Sequence, residues 1–270
     1  MDQEKVCARK LEGKSAIVTG AAMGLGEGIA TVYAKYGADL LLIDMSEKVE
    51  ETAEKLRQQY GAKIATFIGN VTDPANLKEA AAKAMEIYGK IDILCCNAGV
   101  CKLAPFLESS DELRDFHIDV NIKGVWNTCK AVIPYMLEAG KGSVVIASSV
   151  TGDIVADPGE AAYALSKAAL VGLTKALAIE YAGEGIRVNC SQLGYARTPM
   201  AEAIAKQSAP DDVEGALAEM AKGIPVKRLA KPVEVGELFA FLGSDESSYI
   251  TGSQFVIDGA ATIRESNMGV

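Results

Sequence analysis

From end to end the chain alternates short apolar, β-branched runs with amphipathic stretches of helical length, and this alternation leaves few folds open. Strands are expected at residues 15–19, 39–43, 63–68, 91–96, 143–147, 186–191 and 254–257. Helices are expected at 25–36, 47–60, 74–88, 161–182 and 232–242, and a capping signature at Ser109 to Glu112 opens another that runs towards Ala139. Gly37 and Gly61 stop two of them, and Asp73-Pro74 caps and starts a third. Parallel strands need a crossover between neighbours, usually a helix, and a sheet covered by helices on both faces is apolar throughout. The pattern therefore predicts a doubly wound α/β sheet of seven parallel strands. Residues 195–224 break the rhythm, with Pro199 and Pro210 inside and Pro225 just after. They read as a mobile excursion holding one or two short helices. No linker, repeat or low-complexity segment divides the chain. The expected organisation is an N-terminal extension over residues 1–12 and a single domain over 13–270.

A chain of 270 residues, 49% hydrophobic, has the material for a large core. Its net charge of -9 argues against a nucleic-acid binder, which needs a basic surface to replace phosphate counterions. Residues 1–10 carry mixed charges and no apolar centre, unlike a secretory signal. Apolar stretches such as 40–43 are too short to span a bilayer, so no membrane partner is expected. Cys7, Cys95, Cys96, Cys101, Cys129 and Cys190 follow no ligand spacing. Reduced thiols in a cytoplasmic protein and no metal site are the expectation. Adjacent Cys95 and Cys96, on a strand, should point to opposite faces of the sheet.

Directly after the first strand stands Thr19-Gly20-Ala21-Ala22-Met23-Gly24-Leu25-Gly26, and a helix follows at once. Glycines at such a junction let the backbone turn tightly and approach a pyrophosphate, which then sits on the helix N-terminus. Glycine triplets are common in ordinary turns; the strand before and the helix after give this one its meaning as a Rossmann-type loop. The acidic residue expected about 20 positions on is Asp44, at the end of the second strand. Its carboxylate suits the ribose hydroxyls of NAD and repels the 2′-phosphate of NADP, and no Lys or Arg stands in the loop or beside Asp44 to compensate.

Tyr163-Ala164-Leu165-Ser166-Lys167 opens the long helix after the fifth strand. Residues four apart share a helical face, so Tyr163 and Lys167 can meet. A phenol is a poor base at neutral pH, and a nearby ammonium should lower its pKa. Alone, such a pair is more often an unrelated surface Tyr and Lys. Here it accompanies the glycine loop and Ser148-Ser149 at the end of the preceding strand.

With these residues in place, the chain resembles the classical short-chain dehydrogenase/reductase family over residues 11–259. The likeness rests on the loop from Thr19 to Gly26, Cys96-Asn97-Ala98-Gly99, Asn121 with Gly124, Ser149, and the Tyr163/Lys167 pair. The stretches Asp115-Phe-His-Ile-Asp-Val-Asn-Ile-Lys-Gly124 and Ser149-Val-Thr-Gly-Asp153 look most like the bacterial subgroup called UcpA-like. The resemblance implies a catalytic set of Asn121, Ser149, Tyr163 and Lys167. Ser149 would hold the substrate oxygen, in preference to Ser148. Tyr163 would pass a proton to or from that oxygen as hydride moves. Lys167 would grip the nicotinamide ribose and tune Tyr163, and Asn121 would bend its helix around a proton-relaying water. The same resemblance places cofactor contacts on Gly20, Met23, Gly24, Leu25 and Gly26, on Asp44 and Met45, and on Asn70 and Val71. Asn97, Ala98 and Gly99, Tyr163, Lys167, Ala196 and Thr198 complete them. Substrate contacts fall on Ser149, Tyr163, Thr151, Met200 and Ile204. Three departures stand out. The Ser149–Tyr163 gap is one residue longer than usual, Leu193-Gly194 replaces a Pro-Gly, and Asn70 replaces an Asp whose role its amide oxygen can still fill.

Other residues carry weaker signals. His117, the single histidine, should lie on its helix away from the pocket. Trp126 suits the core or a subunit interface. Asp153, Asp157 and Glu160 could hydrogen-bond a polyol, but Gly and Pro around them favour a solvated loop. Residues 195–224 should close over the substrate as a lid, with Met200, Ala201, Ile204 and Ala205 presenting an apolar face inward. The reading is an NAD(H)-linked oxidoreductase that interconverts a secondary alcohol and a ketone, with a hydroxysteroid as the favoured substrate. A polyol dehydrogenase or a 3-oxoacyl reductase is the alternative, and an idle NAD-binding sensor or scaffold is the alternative of another class. Intact Tyr163 and Lys167 speak against the last. The family resemblance also implies a homotetramer, pairing through the two long helices and the last helix and strand.

Overall fold

In the computed structural model, which describes residues 9–263, seven parallel strands form one sheet in the order β3-β2-β1-β4-β5-β6-β7. They are β1 (Ser15–Thr19), β2 (Asp39–Asp44), β3 (Ile64–Ile68), β4 (Ile93–Cys96), β5 (Gly142–Ser149), β6 (Ile186–Leu193) and β7 (Gln254–Ile257). The chain winds outwards from β1 to β3, then returns to lay β4 on the other side of β1. At that reversal the two connections leave the sheet in opposite directions, so a crevice opens beyond the carboxyl ends of β1 and β4. Cys7 lies outside the described residues, and so does the part past Ile263 of the tail beyond Gly259, for which the family resemblance implies a contact with a neighbouring subunit.

Helices cover both faces. On one side α1 (Gly24–Lys35) and α9 (Pro232–Gly243) pack on the sheet; on the other lie α3 (Pro74–Tyr88), α5 (Gly124–Ala139) and α6 (Ala161–Tyr181). Cys95 belongs to the first core and Cys96 to the second, the opposite-face placement that a strand dictates. α1 and α9 approach so closely that a Cβ on Gly28 would stand 2.4 Å from Pro232. Leu11, assigned to the N-terminal extension by sequence, is fully buried in the first core, and its N–H donates to the Tyr36 carbonyl.

Three elements differ from expectation in ways that shape the site. β5 and β6 continue two residues further, which carries Ser148 and Ser149 to the strand tip. The long helix expected up to Ala139 is in three parts: α4 (Asp111–His117), a π-helical turn at Ile118–Lys123, and α5. Its cap is Ser110, not Ser109, whose hydroxyl accepts the Leu113 N–H at 3.2 Å. The excursion holds α7 (Pro199–Ser208) and α8 (Val213–Gly223), which pack together through Ala201, Ala205 and Leu217. By length and composition the segment Ala161–Glu184 is apolar enough to cross a membrane, contrary to the reading that every apolar stretch is too short. In the fold this helix lies against β5 and β6 and contributes Leu170, Val171 and Ala178 to the core.

Candidate active site

The crevice is walled on one side by backbone. Between the end of β1 and the start of α1 the chain turns through Gly20 (φ +67°) and Gly24 (φ +61°), a region that glycine enters without strain. A Cβ on Gly26 would lie 1.9 Å from the Gly20 carbonyl oxygen, so only glycine fits there. The loop is stitched to the tip of β4. The Thr19 hydroxyl accepts the N–H groups of Asn97 (3.1 Å) and Ala98 (3.2 Å), and the Asn97 amide donates to the carbonyls of Thr19 (3.0 Å) and Gly20 (3.1 Å). Asp44, at the tip of β2, accepts the Ala22 N–H at 3.0 Å and the Ser46 N–H at 2.9 Å, which fixes the carboxylate beside the loop. Met23 and Met45 are exposed at its rim. The Asn70 amide oxygen accepts the Thr72 N–H at 3.0 Å and keeps a second lone pair. Val71 is buried beneath it, against Gly124.

The other side is walled by side chains. Ser148 is committed to the scaffold, its hydroxyl donating to the Lys167 carbonyl at 2.8 Å. Ser149 faces the cavity; it accepts the Thr151 N–H at 3.1 Å and donates to the Leu193 carbonyl at 3.3 Å. Tyr163, in the first turn of α6, stands within hydrogen-bonding reach of Ser149. Lys167, one turn on, lies 5.7 Å from the Tyr163 ring centre and donates to the Ala147 carbonyl at 2.9 Å. Burial lowers the lysine to about 8, partly offset by nearby Cys101. The phenol moves the opposite way from the sequence argument. Burial pushes Tyr163 above its ordinary value, nearby Cys101, Glu160 and Tyr195 push further, and the Ser149 contact only opposes them.

Asn121 sits fully buried in the π turn. Its Oδ1 accepts the Val100 N–H at 2.8 Å, and its Nδ2 donates to the Val100 carbonyl (3.0 Å) and to Ser166 Oγ (2.9 Å). Ser166 in turn donates to the Tyr163 carbonyl at 2.7 Å, so Asn121 ties the β4 loop to the first turn of α6. His117 does not line the cavity, as its sequence position implies, yet it stands close to Tyr163. It is fully buried, with its ring 6.3 Å from that of Tyr163 in an edge-on arrangement. Its Nε2 accepts the Lys102 N–H at 3.1 Å and its Nδ1 donates to the Leu113 carbonyl at 2.8 Å, so the neutral ring is satisfied by backbone. Trp126 is half exposed and so not core.

Ser149, Tyr163 and Lys167 line a cavity of about 520 Å³ that runs from Leu25, Asn97 and Gly99 to Met200, Ala201, Ile204, Met220 and Ile224; Asn121, Asp44, Asn70 and the loop glycines stand outside its lining. Ala205 is turned away from it, onto Leu217 of α8. Thr198 caps α7 by accepting the Ala201 N–H at 3.2 Å, and Ala196 pairs with Ala230; both remain on the cavity wall. The acidic cluster divides. Asp153 is held by the Gln192 amide at 2.6 Å, whereas Asp157 and Glu160 line the cavity. Glu160 is only 9% exposed, so the solvated-loop reading fails for it, whereas Asp153 and Asp157 are exposed as that reading has them. The position of Glu160 three residues before Tyr163, on the same helical face, was the signal available. A second cavity of about 550 Å³ lies at the amino ends of the strands. Its Lys14, Asp92, Lys141 and Asp245 neutralise one another in ion pairs, and it holds none of the groups above. Among the described residues no cluster of three His, Cys, Asp or Glu side chains could hold a metal ion.

Residues 20–262 match a family model described as enoyl-(acyl carrier protein) reductase, and the chain is 60% identical to oxidoreductase UcpA of Salmonella typhimurium over 257 residues, 95% of this chain and 97% of that protein. The chain belongs to the short-chain dehydrogenase/reductase family. It is an oxidoreductase of that family. It is also 40% identical to the 3-oxoacyl-[acyl-carrier-protein] reductase FabG of Thermotoga maritima, over 94% of this chain and all of that one. Among solved structures, levodione reductase superposes with a TM-score of 0.91 at 32% identity, covering 94% of this chain and 99% of that one. L-sorbose reductase from Gluconobacter frateurii, solved with NADPH and L-sorbose, superposes with a TM-score of 0.87 at 30% identity, covering 92% and 96%.

Proposed function

We propose that this short-chain dehydrogenase/reductase uses NAD(H) to interconvert a secondary alcohol and a ketone on a bulky, largely apolar substrate. The observation that carries this reading is the placement of Ser149, Tyr163 and Lys167 on one wall of a cavity that reaches Leu25 of the glycine loop at its other end. A nicotinamide dinucleotide fits that loop: glycines leave room for the pyrophosphate, and Asp44 offers acceptors for ribose hydroxyls. Gly20 and Met23 to Gly26, Asp44 and Met45, Asn70 and Val71, and Asn97 to Gly99 would hold it, with Ala196 and Thr198 at the nicotinamide end. When bound it supplies or accepts the hydride.

The protein's own groups handle the proton. In ketone reduction the Tyr163 phenol donates to the carbonyl oxygen, and the burial that raises it keeps it protonated for that role. Ser149 turns its hydroxyl from Leu193 to the same oxygen. Lys167, as an ammonium, offsets the charge left on Tyr163 and holds the ribose. Asn121 keeps Tyr163 in register through Ser166. Asp44, with no Lys or Arg at residues 43–47 or in the loop, favours NAD; the sorbose reductase, solved with NADPH, makes this choice the first to test.

Met200, Ile204, Met220 and Ile224 give the lid an apolar face, which favours a ring ketone and keeps a hydroxysteroid in the class. Exposed Trp126 on α5 and Leu165 and Ile179 on α6 supply apolar surface for a homotetramer. Buried thiols unpaired at Cys95, Cys96, Cys129 and Cys190 suit the cytoplasm. Incubation with NADH or NADPH and a panel of steroid ketones, simple ring ketones, keto-sugars and 3-oxoacyl thioesters tests the reading by loss of nicotinamide absorbance. Ring ketones with NADH should be fastest. Exclusive use of 3-oxoacyl thioesters would replace this reading by that of a 3-oxoacyl reductase, and no turnover of any ketone would overturn it.

A further inference from the structure

The proposed alcohol–ketone chemistry uses Ser149, Tyr163 and Lys167 and leaves one buried acid on the same wall unexplained. Glu160 lies at the entry to α6, where its carbonyl accepts the Ala164 N–H at 2.7 Å, so its position is fixed relative to Tyr163. One carboxylate oxygen, Oε2, accepts the Asp157 N–H at 3.1 Å and the Thr151 hydroxyl at 3.3 Å. The other, Oε1, receives no hydrogen bond from the described residues, and Glu160 forms no ion pair among them. Nor is Oε1 sealed in the protein: the buried side-chain atom without a partner is Ser191 Oγ, elsewhere. Oε1 is therefore accessible, and Glu160 lines the cavity. Beside it, the Tyr195 hydroxyl is already engaged by the Asp157 carboxylate. This part of the wall offers an acceptor with negative charge that no cation pairs with, the lysine on the wall being Lys167 seven residues along the chain, while the lid opposite is apolar.

We infer that Glu160 is a specificity-determining residue that accepts a hydrogen bond from a second hydroxyl of the substrate. The preferred substrates are then ring diols and hydroxylated ring ketones, with the reacting oxygen at Tyr163 and the second hydroxyl at Glu160. A substrate that covers Oε1 without offering that hydroxyl takes water from a carboxylate oxygen and leaves it unpaired, and one carrying a carboxylate there is repelled. The inference rests on the alcohol–ketone reading of the same site.

The test is oxidation of cyclohexanol, cyclohexane-1,2-diol and cyclohexane-1,3-diol by the wild-type protein, Glu160→Leu and Glu160→Gln. Wild type should prefer one diol over cyclohexanol by about 10–100-fold in kcat/KM, the range of a hydrogen bond to a charged group. Glu160→Leu should bring that ratio close to one, chiefly through KM of the diol. Glu160→Gln, whose amide oxygen can still accept, should keep part of it and remain as thermally stable as wild type. A ratio equal in all three proteins, or a wild-type preference for cyclohexanol, overturns the inference and leaves the alcohol–ketone reading standing. Absence of turnover of every alcohol and ketone by wild type overturns that reading, and this inference with it.

Discussion

The two walls of the crevice are made of different material. Around β1, β2 and β4 the backbone builds the site: glycines at positive φ, N–H groups capped by Thr19, and one carboxylate pinned by two backbone donors. Around β5, α6 and α7 side chains build it, and their roles depend on which face of each element packing turns inward. A backbone site tolerates almost no change at its glycines. A side-chain site keeps its proton-transfer set and alters its substrate by exchanging neighbours such as Glu160, Met200 and Ile204. In the proposed mechanism most of the dinucleotide binding falls to the first wall, and proton transfer with substrate selectivity to the second.

If that division holds, a cut in one wall should spare the other. Tyr163→Phe should lower turnover by about 10²–10⁴, the usual worth of a positioned acid–base, while NADH still binds. Initial rates and a fluorescence titration on one sample check this, and a loss of binding equal to the loss of rate would break the division. A smaller effect comes from pH. Burial lowers Lys167 to about 8, so its ammonium is present below that pH and lost above it, whereas the raised Tyr163 stays protonated. kcat/KM for ketone reduction should therefore fall about tenfold per unit once pH exceeds the pKa of Lys167. A profile that stays level there would remove Lys167 from the charge argument. Smallest is Asp44→Ala, on the backbone wall. Removing one like charge beside the 2′-phosphate should raise the NADP-to-NAD ratio of kcat/KM by roughly tenfold, about 1.4 kcal/mol, with kcat on the better cofactor changing little. An unchanged ratio would strip Asp44 of its selecting role.

The same contrast explains what the sequence disclosed. The alternation of apolar runs was enough to read the sheet, because strands buried on both faces must be apolar wherever they lie. The glycine loop and Asp44 were legible for a similar reason: backbone geometry demands glycine, and the tip of β2 can be counted from it. Legibility failed where tertiary packing decides. β5 and β6 were ended early because Ser148, Ser149, Gln192 and Leu193 mix polar residues into a strand tip that serves the cavity. His117 lies off the cavity lining, as its sequence position implies, but its closeness to Tyr163 is set by tertiary packing that the sequence does not show. Glu160 was read as solvated from its Gly and Pro neighbours, although Thr151 and the Asp157 N–H hold it inside. The predicted lowering of Tyr163 by Lys167 failed because sequence cannot weigh burial against charge.

The central claim is that both walls converge on one reacting oxygen at Tyr163. A crystal structure of the dead-end complex with NAD⁺ and the ketone of whichever panel member turns over tests it most directly. The account predicts the ketone oxygen within about 3 Å of both the Ser149 and Tyr163 hydroxyls, as ordinary O–H···O hydrogen bonds require, with the dinucleotide on the glycine loop. A ketone oxygen bound away from that pair, or a dinucleotide seated elsewhere, would contradict it.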